Sequence, residues 1–312
     1  MTSSMPQPIR TVSVVDTRSV FTTIGLAWRT TRHTDQHSPD SSLRWAMEHG
    51  ELSPSAARPV QSVWTTGDGA ESVVVSLPEE KVLEWVRHVQ GVWLAFPVAH
   101  PVVAIAGSEH IVEQIHQAVG TGAPSAAPSA AIPCAMRQTQ QHGYTHTVLR
   151  GPDASHRAGD AATFVALSAL KAGPVLSLQT ALHRSGNYSR IGIRRTLEAA
   201  TPAIQWTVIS DSNRSIETLE TVASLADELA HTTSADPTEA IAFAHANLVR
   251  PWNAPTSLVQ AMAHYEVMGW GGQLIANPDH AFDGVEDSLQ DAFDGLLLPL
   301  TNVVDSRRSV LV

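Results

Sequence analysis

Glu48 and His49 close a pentapeptide, Trp45-Ala46-Met47-Glu48-His49, whose spacing belongs to metal-assisted hydrolysis. Two histidines one helical turn apart put both imidazoles on one helix face, where they grip Zn²⁺, and a glutamate between them activates the zinc-bound water. Here the first of the two positions is Trp45, whose indole N–H is a donor with no lone pair to offer a metal. Glu48 and His49 alone cannot hold catalytic zinc. As they stand, they read as surface residues of an amphipathic helix.

A second group of candidates lies in Leu178-Gln179-Thr180-Ala181-Leu182-His183-Arg184-Ser185-Gly186-Asn187-Tyr188-Ser189. A guanidinium offers several fixed donors and a phenol one more, so Arg184 and Tyr188 together could hold a peptide carbonyl and the oxyanion it becomes. The plainer alternative is that Arg184 caps the last carbonyls of its helix and Tyr188 opens a strand as a half-buried aromatic. The residues alone leave both open. Downstream, Arg190 and Arg194 share a strand face under the two-residue period. With Arg184 and Arg195 they form a basic patch in a chain of net charge −10. That patch reads either as a guide for an acidic peptide or as a solvated strand face. His33-Thr34-Asp35-Gln36-His37 sets ligand-type residues at alternate positions of a polar loop, a weak pattern for a metal. Gly269-Trp270-Gly271-Gly272 lacks the strand–turn–helix setting of a phosphate loop and predicts a turn between helices.

The elements that must position these residues show in the apolar pattern. Residues 11–16 and 22–28 are short β-type runs rich in branched side chains, and a polar loop over 30–40 leads to the helical stretch holding Trp45 to His49. Residues 60–65 and 72–76 predict two more strands. A helix begins after Pro78, with Val82, Trp85, Val86 and Val89 at helical spacing and Glu79 and Glu80 in its first turn. A strand over 101–107 and an amphipathic helix over 109–119 close this half. The stretch from Thr121 to Pro133 is small, Pro-rich and uncharged, the composition of a semi-extended linker. Domains are therefore expected at 1–120 and 143–312, with 121–142 between them. The second half repeats the order of the first: a strand over 145–150, a helix over 160–172, strands around 188–197 and 203–210. Three helical stretches follow, one opened by Asp236 at the cap and Pro237 in the first turn, and then a final β-type segment over 303–312.

Composition narrows the classes. At 312 residues, with 43% apolar and 16% charged residues, the chain suits two well-buried domains. No apolar run approaches the roughly 18 residues of a membrane-spanning helix, so no membrane partner is expected. The first residues lack both a basic and an apolar region, and the single cysteine, Cys134, rules out an internal disulfide; both fit a cytoplasmic location. A net charge of −10 argues against nucleic-acid binding, which needs a basic footprint.

The pentapeptide in this setting resembles the M16 (pitrilysin/insulysin-type) peptidases, whose domains open with strand, strand, loop and zinc helix and carry H-x-x-E-H where this chain has Trp45 to His49. The resemblance implies an α+β fold of two similar M16-type α/β domains, each a mainly antiparallel sheet with helices packed on one face. It also implies a third zinc ligand, a Glu on a further helix; here the chain runs from Val92 and Trp93 to the closing strand with no room for that helix. Residues 161–170 resemble the helix that precedes the family's segment L-x-x-x-L-R-x-x-x-x-x-x-Y, and 178–189 resemble that segment, whose Arg and Tyr reach the substrate backbone beside the metal. Tyr188 matches the Tyr. For the Arg there are two candidates: His183 stands directly after the Leu, and Arg184 lies four residues before Tyr188, where the family spacing is seven. The resemblance thus implies a degenerate, non-catalytic chain without a cofactor of its own. Zinc is expected in a partner, an M16-type catalytic subunit with an intact H-x-x-E-H. Tyr188, Arg184, His183 and Arg190 would contact the peptide substrate, and peptide maturation such as leader removal would be the use. Two other roles stay open: a purely structural subunit, and a stand-alone peptide-binding homodimer.

Overall fold

A computed structural model describes residues 9–29, 61–67, 70–95, 99–119, 132–172, 177–198 and 201–308. Its strands are β1 (Arg10–Val15), β2 (Phe21–Arg29), β3 (Gln61–Gly67), β4 (Ala70–Pro78), β5 (Ala99–Gly107), β6 (Ala135–Gln141), β7 (Tyr144–Pro152), β8 (Arg190–Glu198) and β9 (Thr201–Asp211). Its longer helices are α1 (Val82–Ala95), α2 (Glu109–Val119), α3 (Asp160–Ala172), α4 (Leu178–Arg184), α5 (Ser215–Ala235), α6 (Thr238–Val249), α7 (Pro255–Met268) and α8 (Leu289–Arg308). The described residues form two units. One comprises those up to 119 together with Arg250–Ala276, the other those from 132 to 249 and from 277 to 308.

The first unit is a five-stranded sheet in the order β1-β5-β2-β4-β3, antiparallel throughout except for β1 beside β5. Strand alternation sends Ile24, Leu26, Trp28, Val73, Val75, Leu77, Val103 and Ile105 into one core with Trp85, Val86 and Val89 of α1 and Ile111 and Ile115 of α2. Only residues 96–98 separate α1 from β5, too few for another helix. The opposite face of β2 is buried as well, so the strand is shielded at both parities. Its cover is α7, which packs on β2, β5 and β4. Gly25 permits the approach: a Cβ there would lie 2.7 Å from Val259 Cγ1 and 3.1 Å from the Val259 carbonyl oxygen. Gly25→Val is therefore expected to cost about 1–3 kcal/mol by overpacking, seen as a lower denaturant midpoint at unchanged slope; an unmoved midpoint would refute the contact.

The end of α7 is tied down from both sides. Gly269, at φ 80°, starts a Schellman cap in which its own N–H donates to Glu266 O and the Trp270 N–H to Tyr265 O. The Glu266 carboxylate is buried, accepts from the Gly272 N–H at 2.6 Å and ion-pairs with Arg10, while Arg29 Nε donates to Val267 O at 3.0 Å. Two cations thus sit where the helix dipole favours positive charge. The glycine-rich tetrapeptide after α7 is an inter-helix turn, as its sequence predicts. Burial pushes the Tyr265 phenol up to about 12.

The second unit is a four-stranded antiparallel sheet in the order β6-β7-β9-β8. One face carries Thr147, Leu149, Ile193, Trp206 and Val208, all buried, and packs with α3, α5 and α8. Trp206 is fully enclosed, and its indole N–H donates to Leu296 O at 2.8 Å, next to the carbonyl that Pro299 deprives of a helical partner. Arg195 projects onto the same face. It ion-pairs with Asp153 and, at 3.3 Å, with Asp160, and donates to Ser155 Oγ at 2.8 Å. Burial holds the Asp160 carboxyl above its usual range, with the Arg195 charge opposing the rise.

Four expectations need correction. Residues 303–308 continue α8 rather than form a strand, because Leu297, Leu300 and Val304 recur at helical spacing and are buried; tertiary burial overrides the β-branched local preference. Residues 309–312 lie outside the described part. β6 occupies residues 135–141, inside the stretch expected as linker, and Arg250–Ala276 groups with the first unit rather than with 143–312. The expected α+β fold stands, and in the first unit α7 adds a helical layer over the second face of the sheet. β8 starts at Arg190, so Tyr188 precedes the strand.

Candidate functional site

Trp45, Glu48 and His49 lie outside the described residues, as does the 33–37 cluster. Among the described residues, no group of three or more His, Cys, Asp and Glu side chains could hold a metal ion. The remaining candidates meet at the turn from α4 into β8.

That turn is braced at every step. Ser177 caps α4, its hydroxyl accepting from the Thr180 N–H at 3.2 Å. At the other end Gly186, at φ 81°, makes a Schellman cap: its N–H donates to His183 O and the Asn187 N–H to Leu182 O. Ser185 Oγ also donates to Leu182 O. Backbone donors therefore take the carbonyls that Arg184 was a candidate to cap, and Arg184 is exposed. Asn187 holds the next step, its Oδ1 accepting from the Ser189 N–H and its Nδ2 donating to Thr218 Oγ1.

Gln179 completes the brace. Its Oε1 accepts from the Ile191 N–H at 2.8 Å and its Nε2 donates to Ser189 O at 2.8 Å, so the amide pairs with the start of β8 as a neighbouring strand would. The same Nε2 lies 2.6 Å from His183 Nε2. An amide nitrogen can only donate, so the ring nitrogen is the acceptor of this bond. The His183 ring is 5.7 Å from the Tyr188 ring, tilted by 40°. Tyr188 itself is 81% exposed. A half-buried strand aromatic is not what it is.

Of the sequence candidates, then, the fold brings together His183 and Tyr188. Arg184 is the next residue along α4 and exposed. Arg190, also exposed, is the first residue of β8, on the sheet face away from the helices, with Arg194. Arg195 leaves the basic patch for the buried cluster with Asp153. Gln179 went unnoticed as a site residue, although one signal was there: it stands one helical turn before His183, on the same face.

Neither a family model nor a curated protein matches the chain by sequence. Solved structures do match it. An inactive M16 peptidase domain from Pseudomonas fluorescens aligns with a TM-score of 0.52 at 12% identity, over 91% of this chain and 91% of that one. The chain has an M16-like fold. The same M16-like architecture appears in an M16-like peptidase from Alicyclobacillus acidocaldarius, with a TM-score of 0.50 at 13% identity over 89% of this chain and 90% of that one. It appears also in a chain of Complex III2 from Candida albicans, with a TM-score of 0.51 at 9% identity over 95% and 90%. Identities this low establish the M16-like fold alone; what the M16-like chain does has to be argued from its own residues.

Proposed function

We propose that this M16-like chain is the non-catalytic, substrate-binding subunit of a two-chain zinc peptidase. The observation that carries the reading is Tyr188, an exposed phenol held beside His183 on a turn braced by Gln179, Asn187 and a glycine cap. A large aromatic left in solvent on so fixed a backbone is pre-organised for a ligand. Its hydroxyl donates to a peptide carbonyl and to the oxyanion that develops from it, and His183 orients the ring. This chain's own residues do not fit catalytic zinc, since Trp45 has no lone pair where the first histidine of the motif belongs. The metal and the general base come from a partner chain with an intact H-x-x-E-H. Peptide maturation in the cytoplasm is the setting this proposal favours.

The likeness to a chain of Complex III2 supports a second reading, a subunit that serves assembly alone. Reconstitution separates the two: the clamp reading expects peptide hydrolysis only when both chains are mixed, with a dependence on Tyr188. The purified chain alone is expected to cleave no peptide and to carry no stoichiometric zinc. One tightly bound zinc per chain, lost on Glu48→Gln or His49→Ala, would falsify that expectation.

A further inference from the structure

Between α6 and the turns over residues 278–286 the second unit carries a groove of about 620 Å³, within the roughly 300–1,000 Å³ range of small-ligand sites. None of its lining belongs to the Tyr188 turn. Helical spacing shapes one wall: Pro237, Ile241 and His245 follow one another at intervals of four and so share a face of the helix that Pro237 opens. Pro278 and Phe282 form the wall opposite. Phe282 is buried, its ring stacked on Phe164 of α3 at 6.1 Å, so this wall is in place before any ligand arrives. Pro237, Ile241 and Pro278 are half-buried. The floor is therefore apolar and still reachable from solvent.

The rim is acidic. Asp279, Asp283 and Glu286 line the groove and are exposed, and among the described residues no lysine or arginine lines it. Histidines stand beside two of these carboxylates without using them up. His245 Nε2 lies 3.6 Å from Asp279, beyond hydrogen-bond reach, and the Asp279 side chain is 86% exposed. His280 Nδ1 lies 3.1 Å from Asp283 Oδ2; a carboxylate accepts at both oxygens, so Oδ1 stays open to a ligand. The Glu286 carboxylate has no partner among the described residues. Nor do these side chains, among the described residues, form a metal-binding group. The cation they suit is an organic one.

We propose that this groove binds a polypeptide segment in which apolar and basic side chains alternate. In an extended segment successive side chains point to opposite sides. Its apolar groups enter between Ile241 and Phe282, while its lysine or arginine stems follow the wall and bring their charged heads to Asp279, Asp283 and Glu286. Eight helical steps from Pro237 to His245 span about 12 Å, the length of roughly three or four extended residues. The pairing of floor and rim argues for a peptide over a bare polyamine, which has charge for the rim and no side chains for the floor. The site uses nothing from the Tyr188 turn and stands whether or not the clamp reading does.

A chain of formal charge −10 attracts basic peptides everywhere on its surface, so the test needs a charge-matched control. In fluorescence anisotropy with the purified chain, a labelled leucine–arginine repeat should bind. A leucine–glutamate repeat should not, and a serine–arginine repeat of equal charge should bind more weakly. Asp283→Asn with Glu286→Gln should weaken the leucine–arginine peptide roughly fivefold to tenfold. Asp227→Asn with Glu228→Gln removes the same charge from exposed positions on α5 and should leave affinity unchanged. Ala242→Trp, at an exposed position lining the groove, should block binding; where that bulky residue perturbs the fold, seen by circular dichroism, the amide variants still decide. Equal weakening by the two charge-removing pairs, or none by either, overturns the proposal. So does equal binding of the serine–arginine repeat, which would leave the floor without a role, or full displacement of the peptide by equimolar spermidine, which would mark a site for small cations.

Discussion

Arg195→Met is expected to destabilise the protein by about 3–5 kcal/mol, the cost typical of removing one partner from a buried ion pair. The Arg195 side chain is 3% exposed and Asp153 is 10% exposed, so neither charge can turn to water when the other is lost. Asp160 is more open and softens the loss without cancelling it. The deficit should narrow on acidification, and the sign follows from Asp160. Its carboxyl already titrates above the usual range through burial, held down by Arg195; without the guanidinium it rises further. A raised folded-state carboxyl destabilises the ionised form, and that penalty is relieved as pH falls through its folded pKa. Arg195→Met combined with Asp153→Leu should recover most of the stability, because replacing both charges removes the uncompensated one. Denaturant melts at two pH values check this. A single variant as stable as the parent at neutral pH would contradict the buried cluster.

Arg195 also shows what a sequence reveals and what it hides. The two-residue period put Arg190 and Arg194 on one strand face, but the basic patch read from the sequence also included Arg195, which the same period turns to the other face. Nothing local said that Asp153 and Asp160 would meet it there, since the length of α3 and all of α4 lie between them and β8. The same limit applies to α7. Its apolar residues announce a buried helix, but not that Gly25 of a distant strand leaves room for Val259 to approach. Local chemistry was plainer. Asp236 before α6 marks a helix start by mechanism, and Trp45 disqualifies the metal motif by the lack of a lone pair. For the end of α8 local preference misled, because Val303 and Val304 favour strands while Val304 lies on the helix stripe that burial selects.

In the reconstituted two-chain peptidase, Tyr188→Phe should lower kcat by about 10²–10³-fold, or ~3–4 kcal/mol, with assembly unchanged, as when one oxyanion donor is removed. The substitution deletes a single hydroxyl from a residue that is 81% exposed, so it disturbs no core. The Gln179 and Asn187 bonds that set the turn all use other atoms. His183→Ala removes the ring that packs against Tyr188 and accepts from Gln179. It should therefore lower kcat as well, by freeing the phenol to leave its position, and the double variant His183→Ala/Tyr188→Phe should be little worse than Tyr188→Phe alone. Non-additivity of that kind marks two residues acting as one unit. Arg184→Ala, on the exposed neighbour, should be the mild one. A severe Arg184→Ala with a silent His183→Ala would move the substrate contact to the guanidinium. Full activity in all three variants, with the complex still formed, would make this chain a structural half: the brace around the turn would then serve folding, and the exposed phenol would have no substrate to meet.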